Sequence, residues 1–176
     1  MKTDHKIIIG VILLTLIIIF GGTWLSSREG IKTQAKLSKS LMGEKMPDEG
    51  AGHVGRNEKH PAYNSNPPTS GPHWTGVAGP GIKTESVPDE LILHSMEHGA
   101  AVVWYKEGLE QNDTEKIRKA FADSDGKKIM LARKDLDVPV ALTSWGYLLK
   151  LETIDEAKIK EFIETNSDRA PEKAAI

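Results

Sequence analysis

The chain has 176 residues, 39% of them hydrophobic and 27% charged, which supplies one ordinary globular core and excludes a large multidomain enzyme. A formal net charge of -2 leaves no basic stripe to neutralise phosphates, so nucleic-acid binding lacks its electrostatic footprint. With no cysteine there is no disulfide, no thiolate nucleophile and no cysteine-ligated metal, and any metal must be held by histidine, methionine, carboxylate or backbone.

From Ile7 to Leu25 the chain is uncharged and rich in Ile and Leu. At about 1.5 Å per residue this run crosses a hydrocarbon layer of ~30 Å, and it is predicted to be a transmembrane helix. It is longer than a usual signal-peptide core, and Gly21-Gly22-Thr23-Trp24-Leu25-Ser26 offers no small-residue cleavage site, so an uncleaved signal anchor is expected. Trp24 suits an interfacial position. Lys2 and Lys6 precede the run while Arg28, Lys32, Lys36 and Lys39 follow it, and the positive-inside rule does not decide between the two orientations. The short basic N-terminal tail resembles a secretory leader, which places the C-terminal domain outside the cytoplasmic membrane, on a single-pass anchor.

Four regions are expected: a membrane anchor over 1–25, a juxtamembrane linker over 26–52, an extracytoplasmic α+β domain over 53–165 and a flexible tail over 166–176. Residues 53–90 hold six of the nine prolines, Pro61, Pro67, Pro68, Pro72, Pro80 and Pro88, together with Gly55, Gly71, Gly76, Gly79 and Gly81. Proline removes ladder donors and glycine supplies positive φ, so the segment reads as a long, shaped loop. Tyr63, Trp74 and three histidines within it argue for burial against disorder.

Beyond residue 90 the pattern is regular. Ala100–Tyr105, Lys128–Ala132 and Val138–Leu151 read as strands, the last broken or bulged at Trp145-Gly146. One helix follows Asn112, with Ile117, Ala120 and Phe121 on one face. Another follows a capping box at Thr153-Ile154-Asp155-Glu156, with Ile159, Phe162 and Ile163 at the same spacing. The order β-α-β-β-α predicts an α+β two-layer sandwich, a small and mostly antiparallel sheet with two helices on one face.

Five of the six histidines lie between residues 53 and 98, the densest group being Leu93-His94-Ser95-Met96-Glu97-His98-Gly99. In a helix, His94 and His98 are i, i+4 neighbours able to share a metal. In an extended chain His94, Met96 and His98 share a face, and Met96 joins them. A thioether favours copper, whereas imidazole with carboxylate suits zinc, so the candidate ligands His73, His94, Met96 and His98 favour copper over zinc. Glu97 is expected behind them, fixing an imidazole tautomer. His53 and His60 are further candidates. His73 is carried on the stiff Pro67-Pro68-Thr69-Ser70-Gly71-Pro72 path with Trp74 expected beneath it, and is predicted to meet His94 and His98 in one pocket. The same histidines also suit a plainer role, hydrogen-bonding a buried loop to itself. The pattern H-E-x-x-H is not met, and neither Ser70 nor Ser95 lies in a G-x-S-x-G elbow.

Tyr63-Asn64-Ser65-Asn66-Pro67-Pro68-Thr69-Ser70-Gly71-Pro72-His73-Trp74, followed by His94-Ser95-Met96-Glu97-His98-Gly99-Ala100-Ala101-Val102-Val103-Trp104-Tyr105, resembles the two signatures of a bacterial membrane-anchored domain-of-unknown-function family. The resemblance spans roughly residues 50–165. It implies a single anchor followed by one extracytoplasmic domain, and importance for His73, His94, Glu97 and His98, but no particular activity. The favoured function is a membrane-tethered, His-rich metal-binding protein. Two alternatives compete with it: a hydrolase assisted by metal or by His/Glu, and a non-catalytic module binding protein or cell wall. With no legible nucleophile, binding is favoured over catalysis.

Overall fold

The computed structural model describes residues 2–172 and residue 176. The chain divides into two compact units, Met1–Lys39 and Ser40–Ile176. The first contains one helix, α1 (Lys2–Ser38). Its stretch Ile8–Ser38 is long enough to cross a membrane and contains an 18-residue window with a mean hydropathy of 2.5, none of which is buried. The hydroxyls of Thr15, Thr23 and Ser27 donate to the carbonyls of Val11, Phe20 and Thr23. These bonds satisfy the three hydroxyls within the helix itself. Trp24 is stacked by the guanidinium of Arg28 at 4.0 Å.

The second unit starts well inside the segment expected to be a linker. Asn166 shows why: its side chain accepts from Met42 N–H and donates to Met42 O, and Met46 N–H donates to Gly146 O. The short strand β1 (Glu44–Lys45) then pairs with the sheet. The remaining elements are β2 (Gly81–Ile82), α2 (Asp89–Glu97), β3 (Ala101–Lys106), α3 (Gln111–Ala122), β4 (Lys128–Arg133), β5 (Val140–Ser144), β6 (Tyr147–Leu151) and α4 (Glu156–Asn166).

The chain is α+β, as expected, but its sheet is mixed rather than mostly antiparallel. The order is β1-β6-β5-β3-β4-β2, with β2 and β3 each parallel to β4 and the other three pairings antiparallel. The reason lies between β3 and β4, where α3 returns the chain to the same end and so allows the parallel pairing. Val138–Leu151 is a hairpin, Ser144 facing Tyr147, because Gly146 takes φ 73° in the turn.

Both faces of this sheet are covered, which differs from the expected two layers. Ala101 and Val103 of β3 pack with Ile117, Ala120 and Phe121 of α3 and Ile159, Phe162 and Ile163 of α4. Val102 and Trp104 point the other way, to Ile92, Leu93 and Met96 of α2, with Tyr63, Ala78 and Val87 of the proline-rich segment alongside. The alternation is that of a strand, and burial on both faces explains why β3 is a continuous apolar run. The Trp104 indole N–H, which would otherwise be a buried orphan donor, donates to Thr143 Oγ1 at 2.8 Å.

Helix α4 is capped by Asp155, whose side chain accepts from Lys158 N–H. The chain after it is not loose. Ser167 is fully buried, Asp168 N–H donates to Gly99 O at 2.8 Å, and Glu172 N–H donates to Glu97 O at 3.1 Å. The segment expected to be a flexible tail is thus pinned, through residue 172, across the C-terminal end of α2.

Candidate metal centre

Helix α2 sets the first half of the site. It turns Ile92, Leu93 and Met96 into the core, which leaves His94, Glu97 and the C-cap residue His98 along an adjacent stripe at i, i+3 and i+4. Gly99 ends it with φ 96°: Gly99 N–H donates to Met96 O and Ala100 N–H to Ser95 O, the paired bonds of a Schellman motif. Ser95 is spent on structure, donating to Leu91 O and accepting from Ala78 N–H.

The second half comes from two loop segments that run side by side. Gly71 N–H donates to Gly50 O, His73 N–H to Gly52 O, and Val54 N–H to His73 O, so His53 and His73 form a parallel bridge. Paired residues on parallel chains stand on one face about 5 Å apart, and the two rings are 5.0 Å apart, edge to face. Tyr63 braces the turn by donating to Pro72 O at 2.7 Å, and its phenol pKa is raised, first by burial and then by the nearby Glu90. The ring of His73 rests against Trp145 at 5.8 Å, not on Trp74, which lies near Arg56.

These halves meet at one atom. Glu97 Oε2 is 3.0 Å from His73 Nε2, 3.7 Å from His53 Nε2 and 3.7 Å from His94 Nδ1. Side chains of four residues, His53, His73, His94 and Glu97, offer ligand atoms within 4.8 Å of one another, and all but His53 are buried. Ligands at 2.0–2.2 Å from a tetrahedral ion lie about 3.3–3.6 Å apart, which the distances at Glu97, 3.0 to 3.7 Å, bracket.

Four features fit a cation there. His73 Nδ1–H donates to Gly71 O at 2.8 Å, which fixes the tautomer and aims the Nε2 lone pair at Glu97. His73 Nε2 is 3.0 Å from Glu97 Oε2, a contact that either a proton or a metal ion can bridge. His94 Nδ1 is buried with no hydrogen-bond partner, the unsatisfied group that a metal would satisfy. Burial lowers the pKa of His94, with His98 and His73 adding to the effect, which favours the neutral ring a metal needs. His53, 44% exposed at its side chain, leaves one side of the cluster open to solvent.

Of the residues singled out in the sequence, His73 and His94 converge, and His53 joins them in place of His98. The ring of His98 lies 4.4 Å from that of His94, tilted by 52°, yet its Nε2 faces Glu172 at 3.3 Å. Met96 is fully buried in the apolar cluster, because α2 is helical and two residues along a helix turn a side chain to the other side. Glu97 sits among the ligand atoms themselves. His60 is elsewhere, its Nδ1–H donating to Pro61 O and its Nε2 facing Glu90 at 3.3 Å. Glu172 carried no signal in the sequence, being one acidic residue in a polar tail.

The fold and site define an α+β domain with a largely buried three-histidine, one-glutamate cluster that can hold a metal ion. Residues 53–176 match the family described as Protein of unknown function (DUF3105), and the chain belongs to that family. No curated protein and no solved structure matches the chain.

Proposed function

We propose that this is a membrane-tethered, extracytoplasmic protein whose His53–His73–His94–Glu97 cluster binds a divalent transition-metal ion. The observation that carries the reading is the convergence of three imidazole nitrogens on Glu97 Oε2 at 3.0, 3.7 and 3.7 Å, with one of them buried and otherwise unsatisfied. The apolar, unburied stretch of α1 supports the tether. Three nitrogens and one carboxylate oxygen form a borderline set that suits Zn(II) or Cu(II). Preference for Cu(I) needs a thioether among the ligands, and the thioether of Met96 is in the core.

The test is titration of the detergent-solubilised, chelator-stripped full chain with Zn(II), Cu(II) and Cu(I), beside a His53→Asn variant chosen because His53 is the exposed member of the cluster. Submicromolar binding of a divalent ion, weakened at least tenfold in the variant, is expected. Binding no tighter than micromolar, or equal in both proteins, would overturn the proposal. Tethering and sidedness are checked by protease on spheroplasts, which should digest the domain; full protection would reverse the topology.

A further inference from the structure

A second group of ligand atoms adjoins the first. Glu97, His98 and Glu172 also offer ligand atoms within 4.8 Å of one another, and Glu97 is common to both groups. The two are joined through α2, where the rings of His94 and His98 are 4.4 Å apart on successive turns. Glu172 is no stray surface charge. Its own N–H is bonded to the carbonyl of Glu97, and the chain leading to it is held by Asp168 N–H on Gly99 O. A side chain at Gly99 would meet Asp168 Cα at 3.0 Å, so the glycine that ends α2 also admits the strand of tail that delivers Glu172. His98 Nε2 already faces Glu172 Oε2 at 3.3 Å.

We propose that the centre is dinuclear, Glu97 bridging a first divalent ion held by His53, His73 and His94 and a second held by His98 and Glu172. This rests on the metal-binding reading above and adds the second ion. A carboxylate has two oxygens and can span ions about 3.5–4 Å apart, a spacing familiar in two-metal sites. Two carboxylates and neutral imidazoles offset half of the charge of two divalent ions, and coordinated water or hydroxide completes the open positions. The second site is the harder of the two, one imidazole with two carboxylates, and so accepts Zn(II), Mn(II) or Co(II) ahead of Cu(I). It is also the weaker. It has three protein ligands rather than four, and Glu172 is 56% exposed at its side chain and lies beyond the last helix.

The probe is Co(II) added to the metal-stripped full chain in detergent, with metal per chain measured by plasma mass spectrometry after gel filtration and affinities by calorimetry. The wild type is expected to take up two ions in two steps, the second at least about tenfold weaker. Glu172→Gln, a conservative change at an exposed side chain, should retain the first step and lose at least tenfold in the second. Electron paramagnetic resonance should show the signal per ion fall on the second addition as the bridged ions couple. One ion per chain in the wild type, or two that Glu172→Gln leaves unchanged, overturns the dinuclear proposal while leaving the first site standing. No uptake at all overturns both.

Discussion

Replacing Glu97 by Gln separates a metal ligand from a structural hydrogen-bonding group. Glu97 is 3% exposed and lies 3.0 Å from His73 Nε2. Without metal, the Gln amide can donate to the His73 lone pair that Gly71 O has aimed at it, exchanging one hydrogen bond for another. The change in stability should then stay within about 1 kcal/mol. With metal the outcome differs. At a free metal concentration of 100 Kd the wild type gains RT ln(101), about 2.7 kcal/mol. If losing the anionic ligand weakens binding 100-fold, the same concentration gives the variant RT ln 2, about 0.4 kcal/mol. At roughly 3 °C per kcal/mol for a domain of this size, the metal-induced rise in Tm should be about 8 °C in the wild type and about 1 °C in Glu97→Gln. Paired melts of the full chain in detergent, in chelator and in Zn(II), measure both. A wild type that does not respond to metal, or a variant that keeps the whole rise, would refute the role assigned to Glu97.

Met96 should act as core. Met96→Leu should cost under about 1.5 kcal/mol and leave metal affinity unchanged, whereas Met96→Ala should lose about 2–5 kcal/mol by denaturant unfolding; a tenfold loss of affinity in Met96→Leu would instead make the thioether a ligand. Gly99→Ala should destabilise by about 1 kcal/mol or more, since φ 96° is unfavourable for alanine and the new Cβ meets Asp168. Amide exchange of residues 168–172 should accelerate in that variant, and unchanged protection would count against the tail's docking on Gly99. His60 holds its proton above the ordinary value of 6.5, chiefly through its bond to Pro61 O and then through Glu90. A raised folded-state pKa stabilises fully below the unfolded value and is lost as pH rises through the folded one. The Tm deficit of His60→Asn should therefore be larger at pH 5.5 than at pH 8, and an equal deficit at both would refute the assignment.

Periodicity alone determines much of this protein. The apolar run of α1, the faces Ile117-Ala120-Phe121 and Ile159-Phe162-Ile163, and the run Ala101–Trp104 are local patterns, and a helix or strand that buries one face writes its period into contiguous residues. The concentration of histidines between 53 and 98 is likewise visible, and so is the stiffness of the loop bearing His73. What the sequence leaves open is how distant segments meet. Parallel pairing of β3 with β4 depends on where α3 delivers the chain. The choice of His53 over His98 depends on hydrogen bonds between Gly50–Val54 and Gly71–His73, about twenty residues apart and without periodicity of their own. Helical geometry at α2 sends Met96 to the core and Glu97 to the imidazoles, a choice the short segment itself leaves balanced between helix and strand. Glu172 reaches the centre only because backbone bonds to Gly99 and Glu97 hold the last segment down, and backbone groups carry no sequence signature.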